Sequence, residues 1–327
     1  MRVSVVIPTY NAALTIRQTL ESVLQQKVAP AEILVLDDGS TDNTPSILES
    51  YKSEITIFRR QNGGVASARN ALCEHARGDL IAFLDHDDVW HSNYLQAQCS
   101  LAEKYPGAAA FFTGHVNFYG YDDYRWEGGP PAAVKSIELM SPLNFLEQYN
   151  QVTGPFASVS YCCVPKRVLN ELGSEPFCVS GVDDSYLLTS LPLLCRPIVY
   201  APTPFVAYRI TKGAQSQNKL RDFGLWVDVF RLLEERYQST APMELSRAFK
   251  MAFASKRRSY GKILMGVGRA QDARKQFRSS IADVADPESV AKSLALLCLT
   301  YMPALLQPKW PPSLRPASEQ PGSAGPK

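Results

Sequence analysis

Four short polar clusters hold the residues whose types and spacing suit chemistry. Asp85-His86-Asp87-Asp88 sets three carboxylates in four residues, directly after the apolar run Leu80-Ile81-Ala82-Phe83-Leu84. Carboxylates this close repel one another and need either full solvation or a counter-charge. A divalent cation answers that need, because hard oxygen ligands suit Mg²⁺ or Mn²⁺, ions that usually complete their shell with substrate phosphates. A solvated acidic turn capping the next helix is the plainer reading. Asp37-Asp38-Gly39-Ser40-Thr41 repeats the acidic pair after another apolar run, and ordinary turn chemistry also explains its composition. Arg69 follows Gly63-Gly64, where a guanidinium is able to fork onto a phosphate or simply to face water. Asp183-Asp184 precedes a helix-like stretch and reads, taken alone, as a helix start.

These clusters need a scaffold, and the pattern between them supplies one. Residues 3–7, 33–36, 55–58 and 80–84 are short apolar runs of strand character, separated by helix-like segments at 12–26, 44–51 and 66–76. Strand alternating with helix predicts a parallel sheet covered on both faces, with ligands beyond the carboxyl ends of its strands. Thr9-Tyr10-Asn11, Asp37–Thr41, Gln61–Gly64 and Asp85–Asp88 each follow one of the four strands. Past residue 105 the pattern loosens. Strand candidates at 109–113, 116–119, 158–164 and 197–201, a helix at 166–172 closed by Gly173, and a Gly/Pro turn at Gly128-Gly129-Pro130-Pro131 predict a mixed half with antiparallel strands.

The ordered set Pro8-Thr9-Tyr10-Asn11, Asp37–Thr41, Asn62-Gly63-Gly64 with Ala68-Arg69-Asn70, and Asp85–Asp88 resembles the family 2 glycosyltransferases over about residues 1–215. The resemblance implies a GT-A fold, Rossmann-like with a mostly parallel sheet and a mixed acceptor half. It also implies a nucleotide-sugar donor, usually UDP-linked, and inversion at the anomeric carbon without a covalent intermediate. Carried over by position, Pro8 and Tyr10 would frame the base, Asp38 would accept from it, and Arg69 would meet the pyrophosphate. Asp87 would be the direct ligand of Mn²⁺ or Mg²⁺, Asp85 would lie nearer the ribose, and Asp37 and Asp88 flank them. Such a metal neutralises charge on a departing diphosphate. Gly181-Val182-Asp183-Asp184 resembles the segment holding the base, which makes Asp184 the residue that takes the acceptor's proton, with Asp183 where glutamate is more usual. Tyr208-Arg209-Ile210-Thr211-Lys212 resembles the loop closing the catalytic domain, with Thr211 where relatives often carry histidine and Arg209 or Lys212 as its substitute.

Composition sets limits on this reading. With 34 Lys and Arg against 32 Asp and Glu, the net charge of +2 is too balanced for a protein that coats nucleic acid. Seven cysteines without a CxxC pair read as reduced thiols. The buried-type pair Cys162-Cys163 and Trp90 read as packing, with Trp90 as an alternative floor for the acceptor, while His75, His86, His91 and His115 fit no ligand pattern. No secretory leader precedes Pro8, so a cytoplasmic location is expected. Neither G-x-G-x-x-G nor G-x-x-x-x-G-K-[ST] occurs in the turns, which argues against nicotinamide cofactors and P-loop hydrolysis.

The expected organisation is a catalytic domain at 1–216 (nucleotide half 1–105, acceptor half 106–216), a helical region at 217–306 and a disordered Pro-rich tail at 307–327. Residues 219–278 hold 14 basic and 6 acidic residues ahead of the apolar run 291–306, a combination that suits a peripheral contact of 289–306 with the inner face of the cell membrane. The expected partners are a nucleotide-sugar donor and a glycan or lipid-linked acceptor in cell-surface polysaccharide synthesis. Two rivals share the fold: a non-catalytic nucleotide-sugar sensor or scaffold, favoured by Thr211, and a nucleotidyltransferase, disfavoured by the absence of a Gly/Lys-rich first loop.

Overall fold

The computed structural model describes residues 1–126, 134–149, 156, 158–211, 218–237 and 239–302. Three of the apolar runs become strands buried on both faces, as parallel strands between helical layers are, while the run at 55–58 forms a more exposed edge strand. Every residue of β1 (Val3–Thr9) is buried, and so is all of β4 (Leu80–Phe83). β1 pairs in parallel with β2 (Glu32–Asp37) on one side and β4 on the other, and β2 pairs in parallel with β3 (Thr56–Arg59). The carboxyl ends of the four strands, Thr9, Asp37, Arg59 and Phe83, therefore lie along one edge. All four polar clusters start there.

Between these strands run α1 (Ile16–Leu24), α2 (Thr44–Glu49) and α3 (Val65–His75). In α1 the buried positions are Ile16, Thr19, Leu20, Ser22 and Val23, whereas Leu14 and Leu24 are exposed despite their apolar spacing. Thr19 takes the inward place because its hydroxyl is within bonding distance of the carbonyls of His86 and Asp88, both at 2.9 Å.

Beyond β4 the sheet changes character. Its order is β3-β2-β1-β4-β8-β6-β9-β5, with β7 also on β9. The remaining elements are β5 (Val89–Trp90), α4 (Tyr94–Lys104), β6 (Ala110–Tyr119), β7 (Glu138–Met140), α5 (Pro142–Tyr149), β8 (Cys162–Pro165), α6 (Lys166–Leu172), α7 (Asp183–Ser190) and β9 (Ile198–Ile210). β8 runs antiparallel to both β4 and β6, β6 and β9 are parallel, and β5 and β7 run antiparallel to different stretches of β9.

Several expected boundaries shift. The strands expected at 109–113 and 116–119 are one strand, β6, which passes an irregularity in its register with β9 at Gly114. The strand expected from 158 opens instead as a 3-10 turn at Val159–Tyr161 before β8. β9 extends far past 201 and takes Tyr208, Arg209 and Ile210 into the sheet, where a loop was expected. The turn at Gly128–Pro131, Lys212 and the tail at 307–327 lie outside the described residues.

Contacts divide the chain into two compact units, Met1–Lys212 and Gly213–Lys327. The second contains α8 (Lys219–Tyr237), α9 (Met243–Gly266), α10 (Ala270–Ala282) and α11 (Pro287–Leu299). Leu264 and Met265 of α9 pack on Ala273 and Phe277 of α10, with Leu296 and Leu297 of α11 against them. No helix among the described residues is long and apolar enough to cross a membrane.

At Gly114 the backbone of β6 meets the crossing chain so closely that an added Cβ would lie 2.2 Å from the Pro202 carbonyl oxygen. A backbone atom cannot step aside as a flexible side-chain tip does. Gly114→Ala is therefore expected to destabilise the first unit by about 1–3 kcal/mol, read as a lower midpoint in chemical denaturation.

Candidate active site

The site is built on Arg69, one turn into α3 and only 4% exposed. Its Nη1 donates to the carboxylates of both Asp183 and Asp184, and its Nη2 donates to Asp85. Three distant segments thus meet on one guanidinium: α3, the loop after β4 and the first turn of α7. Burial alone would discharge Arg69, but the three carboxylates override it and raise its pKa. The Phe177 ring centre lies 5.5 Å from the guanidinium carbon. Arg69 was expected to meet a pyrophosphate; in this structure its guanidinium holds the three acidic residues together.

Asp184 is the most informative of the three. Its second oxygen accepts from the Val159 amide at 3.1 Å. Burial pushes its pKa up to about 7; Asp183 and Asp85 add to the rise, while Arg69 and the Val159 amide oppose it. Asp183 beside it is buried. Asp85 is fixed from both ends, since its amide donates to Ser160 Oγ at 3.1 Å and its Oδ2 receives the Ser158 hydroxyl at 3.4 Å.

The neighbouring carboxylates play different parts. Asp88 is fully buried; its Oδ1 accepts from the Arg209 amide at 2.9 Å, and burial with Asp87 and Asp85 nearby holds its pKa well above the carboxylate range. Asp87 is half-buried; its main-chain carbonyl accepts from Arg209 Nε, while among the described residues its carboxylate receives no hydrogen bond or ion pair from any other residue. Burial raises its pKa as well. A carboxylate left unpaired beside four others, with Arg69 the one guanidinium ion-paired to any of them among the described residues, marks where positive charge is scarce. Asp87 and Asp85 are hard-oxygen donors, so the donor set fits a divalent cation. Among the described residues no group of three or more potential ligands is placed to hold a metal by itself. A shell completed by substrate phosphates meets that limit.

Asp38, expected to accept from a base, receives Arg60 Nε at 2.6 Å, the Gly63 amide at 3.1 and 3.2 Å and the Gly64 amide at 2.7 Å. These three donors tie the glycine loop back onto the end of β2. Gly39 stands at φ +83°, with an added Cβ only 2.8 Å from the Asn62 amide nitrogen, so glycine is what lets the two loops touch. Asp37 is buried, with Arg59 Nε 3.0 Å away and the Ser40 amide at 2.9 Å. Asn11 Oδ1 accepts from the Thr41 amide at 2.8 Å and Ser40 Oγ from the Asn11 amide at 2.9 Å. Tyr10, on the same loop, is exposed, and Pro8 is buried in β1.

Arg209 is not free to hold an anion. Its Nε donates to the Asp87 carbonyl (2.8 Å), Nη1 to the carbonyls of Gly120 (3.0 Å) and Asp122 (3.1 Å), and Nη2 to Gln18 Oε1 (2.9 Å). Thr211 follows β9 and is half-buried. Trp90 is buried, stacks on Tyr94 and donates to the Ser160 carbonyl at 2.9 Å, so it packs and does not floor an acceptor. Sequence reasoning missed Arg60, Ser158 and Ser160. The Arg59-Arg60 pair at the end of β3 carried a signal, being two cations opposite the Asp37-Asp38 pair; the serines carried none.

The sequence pattern of the family described as Glycosyl transferase family 2 matches residues 4–173. The chain belongs to glycosyl transferase family 2. Among relatives of this family 2 protein is the Escherichia coli UDP-Glc:alpha-D-GlcNAc-diphosphoundecaprenol beta-1,3-glucosyltransferase WfgD, 44% identical over 104 residues, 31% of this chain and 41% of WfgD. The chain thus spans less than half the length of that relative. In fold, the family 2 protein resembles Staphylococcus aureus TarS 1–349 in complex with UDP-GlcNAc (TM-score 0.65, 16% identity, 92% of this chain and 90% of TarS 1–349). It also resembles the Pyrobaculum calidifontis mannosyltransferase PcManGT in complex with GDP-Man and Mn²⁺ (TM-score 0.57, 20% identity, 92% and 81%). The fold is GT-A.

Two outcomes follow from the buried charges of this family 2 site. Asp184, Asp87 and Asp88 titrate higher in the folded chain than in the unfolded one, so the folded state keeps protons that the unfolded state gives up. The stability this adds is fully present below the unfolded carboxylate pKa of about 4 and is lost as pH rises through the folded values. Without donor or metal, the melting temperature is expected to fall between about pH 5 and pH 8, and Asp184→Asn should flatten that slope. Arg69→Met leaves Asp85, Asp183 and Asp184 without their cation. A loss of about 3–5 kcal/mol at pH 8, smaller at pH 5 where protonation relieves the acids, is expected in denaturant titrations.

Proposed function

We propose that the chain is a metal-dependent inverting glycosyltransferase that moves a sugar from a nucleotide-sugar, with a UDP-sugar as the preferred donor, to a hydroxyl of a glycan or lipid-linked acceptor. The observation that carries this reading is the meeting of Asp184, Asp183 and Asp85 on Arg69, beside an unpaired Asp87, at the carboxyl edge of the sheet. Family membership supports the reaction class. WfgD, whose name gives a UDP-glucose donor and an undecaprenol-linked acceptor, supports the donor and the acceptor class. The catalytic domain is proposed as 1–216 and the helical region as 217–306.

In this reading Asp184 Oδ removes the proton of the acceptor hydroxyl as that oxygen bonds to the anomeric carbon. The bond from that carbon to the phosphate oxygen breaks on the opposite face, and the nucleoside diphosphate leaves with the electron pair. A carboxylate poised near neutrality is suited to this, since it accepts a proton in the transition state without being protonated beforehand. Arg69 holds Asp184 in the orientation needed and keeps part of its population ionised. Asp87, with Asp85, would hold Mn²⁺ or Mg²⁺, which when bound offsets charge on the leaving diphosphate. Tyr10 would lie over the base, and the Asp38-braced glycine loop would present its edge to the nucleotide.

Calorimetric titration with UDP, with and without Mn²⁺, tests the donor site. Metal-dependent binding that Asp87→Ala abolishes is expected, and no binding under either condition would overturn the reading. Asp184→Asn is expected to keep UDP binding while lowering the transfer rate by about 10²–10⁴-fold. A non-catalytic sensor would show no transfer to lose. In the wild type, kcat/KM should rise with pH to a plateau, with a midpoint near the Asp184 value of about 7.

A further inference from the structure

α11 carries apolar side chains on two faces. Its inward side sets Leu296 and Leu297 against the α9/α10 cluster beside Ser289 (4% exposed), Ser293 (0%) and Thr300 just past its end (3%), whereas Leu294 (46%), Tyr301 (58%) and Met302 (39%) face outward together with Ala291, Ala295 and Cys298. The inward side is not a packing accident, because each hydroxyl is engaged. Arg258 Nη1 donates to Ser289 Oγ at 2.7 Å, Ser280 Oγ to Ser293 Oγ at 2.9 Å, and Arg274 to Thr300 through Nε (3.1 Å) and Nη2 (2.8 Å). A helix whose outer side faced only water would leave that side polar and spare its inner side for apolar residues, yet here serines occupy inner positions while Leu294 stands outside. This one presents a continuous apolar stripe, which calls for an apolar cover.

The rim of the stripe indicates what covers it. Arg274 stacks over the Tyr301 ring at 4.1 Å and Arg278 donates to the Tyr301 hydroxyl at 2.9 Å, so two guanidinium groups lie along one border. Lys292, 61% exposed and paired with Glu288, borders the other. Residues 219–302 carry fifteen Lys and Arg against nine Asp and Glu. Two copies pressed together through this face would set their arginine rims against each other, which disfavours a symmetric dimer. An anionic leaflet suits both features: acyl chains accept the apolar stripe, and phosphate headgroups accept the rim. We propose that the outer face of α11 docks onto an anionic lipid surface, the helix lying in the headgroup plane without crossing. The inference stands apart from the reading of the carboxylate site.

The test is flotation of the full chain with vesicles of phosphatidylcholine alone and of phosphatidylcholine with phosphatidylglycerol, at low and high salt. Binding is expected to the anionic vesicles, weakened by salt, and Leu294→Glu and Ala295→Glu should each lower partitioning by about tenfold. Unchanged circular dichroism would show that the variants fold. Binding to neither vesicle, equal binding to both, or binding that both variants leave intact would overturn the proposal. So would a concentration-dependent dimer in sedimentation that Leu294→Glu dissociates, since the face would then belong to a second copy. Loss of UDP binding in the wild type would count against the donor reading and leave the vesicle result standing.

Discussion

The burial of one guanidinium among three carboxylates is the constraint around which the first unit is arranged. Charge is expensive to remove from water, and it is tolerated only where geometry and hydrogen bonding compensate. Arg69 meets that condition by drawing on α3, on the loop after β4 and on the first turn of α7, so helices and strands far apart in sequence must all be in place before the charge is balanced. The cluster remains short of positive charge even so. The balance within the protein is incomplete, and the shortfall lies beside Asp87, whose carboxylate pairs with no side chain among the described residues.

Around this centre the loops brace one another before any substrate arrives. Asp38 gathers Arg60 and two glycine amides, Asn11 and Ser40 exchange bonds across the first two loops, and Ser158 and Ser160 fix Asp85. Catalysis by charge depends on dipoles that need not reorganise as the reaction proceeds. The network provides such a frame at the edge where four parallel or near-parallel strand ends converge.

Much of the first half was legible from its residues. The alternation of apolar runs with helix-like segments, and polar clusters after each run, led to the parallel strands and to their shared edge, because strands buried on both faces have near-continuous apolar sequence. The second half was harder for physical reasons. β6 continues through Gly114 only because the crossing chain at Pro202 leaves room for no side chain, a tertiary fact absent from local pattern. β9 was read short since Pro202 and Pro204 look like breakers, yet both lie where its register with β6 is irregular. Residue types at the site were found, but not their protein partners: Arg69 gathers three carboxylates and Asp38 gathers Arg60 and two amides, because sequence shows a charge and not which neighbours engage it. In α11 the apolar content was visible and the face was not, since the partners that draw the serines inward, Arg258, Ser280 and Arg274, come from other helices.

The Arg209 side chain ties the Asp87 carbonyl of the acidic loop, the turn at Gly120 and Asp122, and Gln18 of α1 together, stacked 4.4 Å from the Phe118 ring, while its own amide donates to the Asp88 carboxylate. Such a shared fastening limits how the surrounding segments can diverge. An insertion between Tyr119 and Asp122, or a deletion in the acidic loop, would displace an oxygen that this guanidinium reaches, and lysine, with a single nitrogen, could not serve four partners. Length variation is thus steered away from this corner and toward stretches beyond Asp122 that it does not touch. The chain can then vary in those stretches without disturbing the carboxylates beside Arg209.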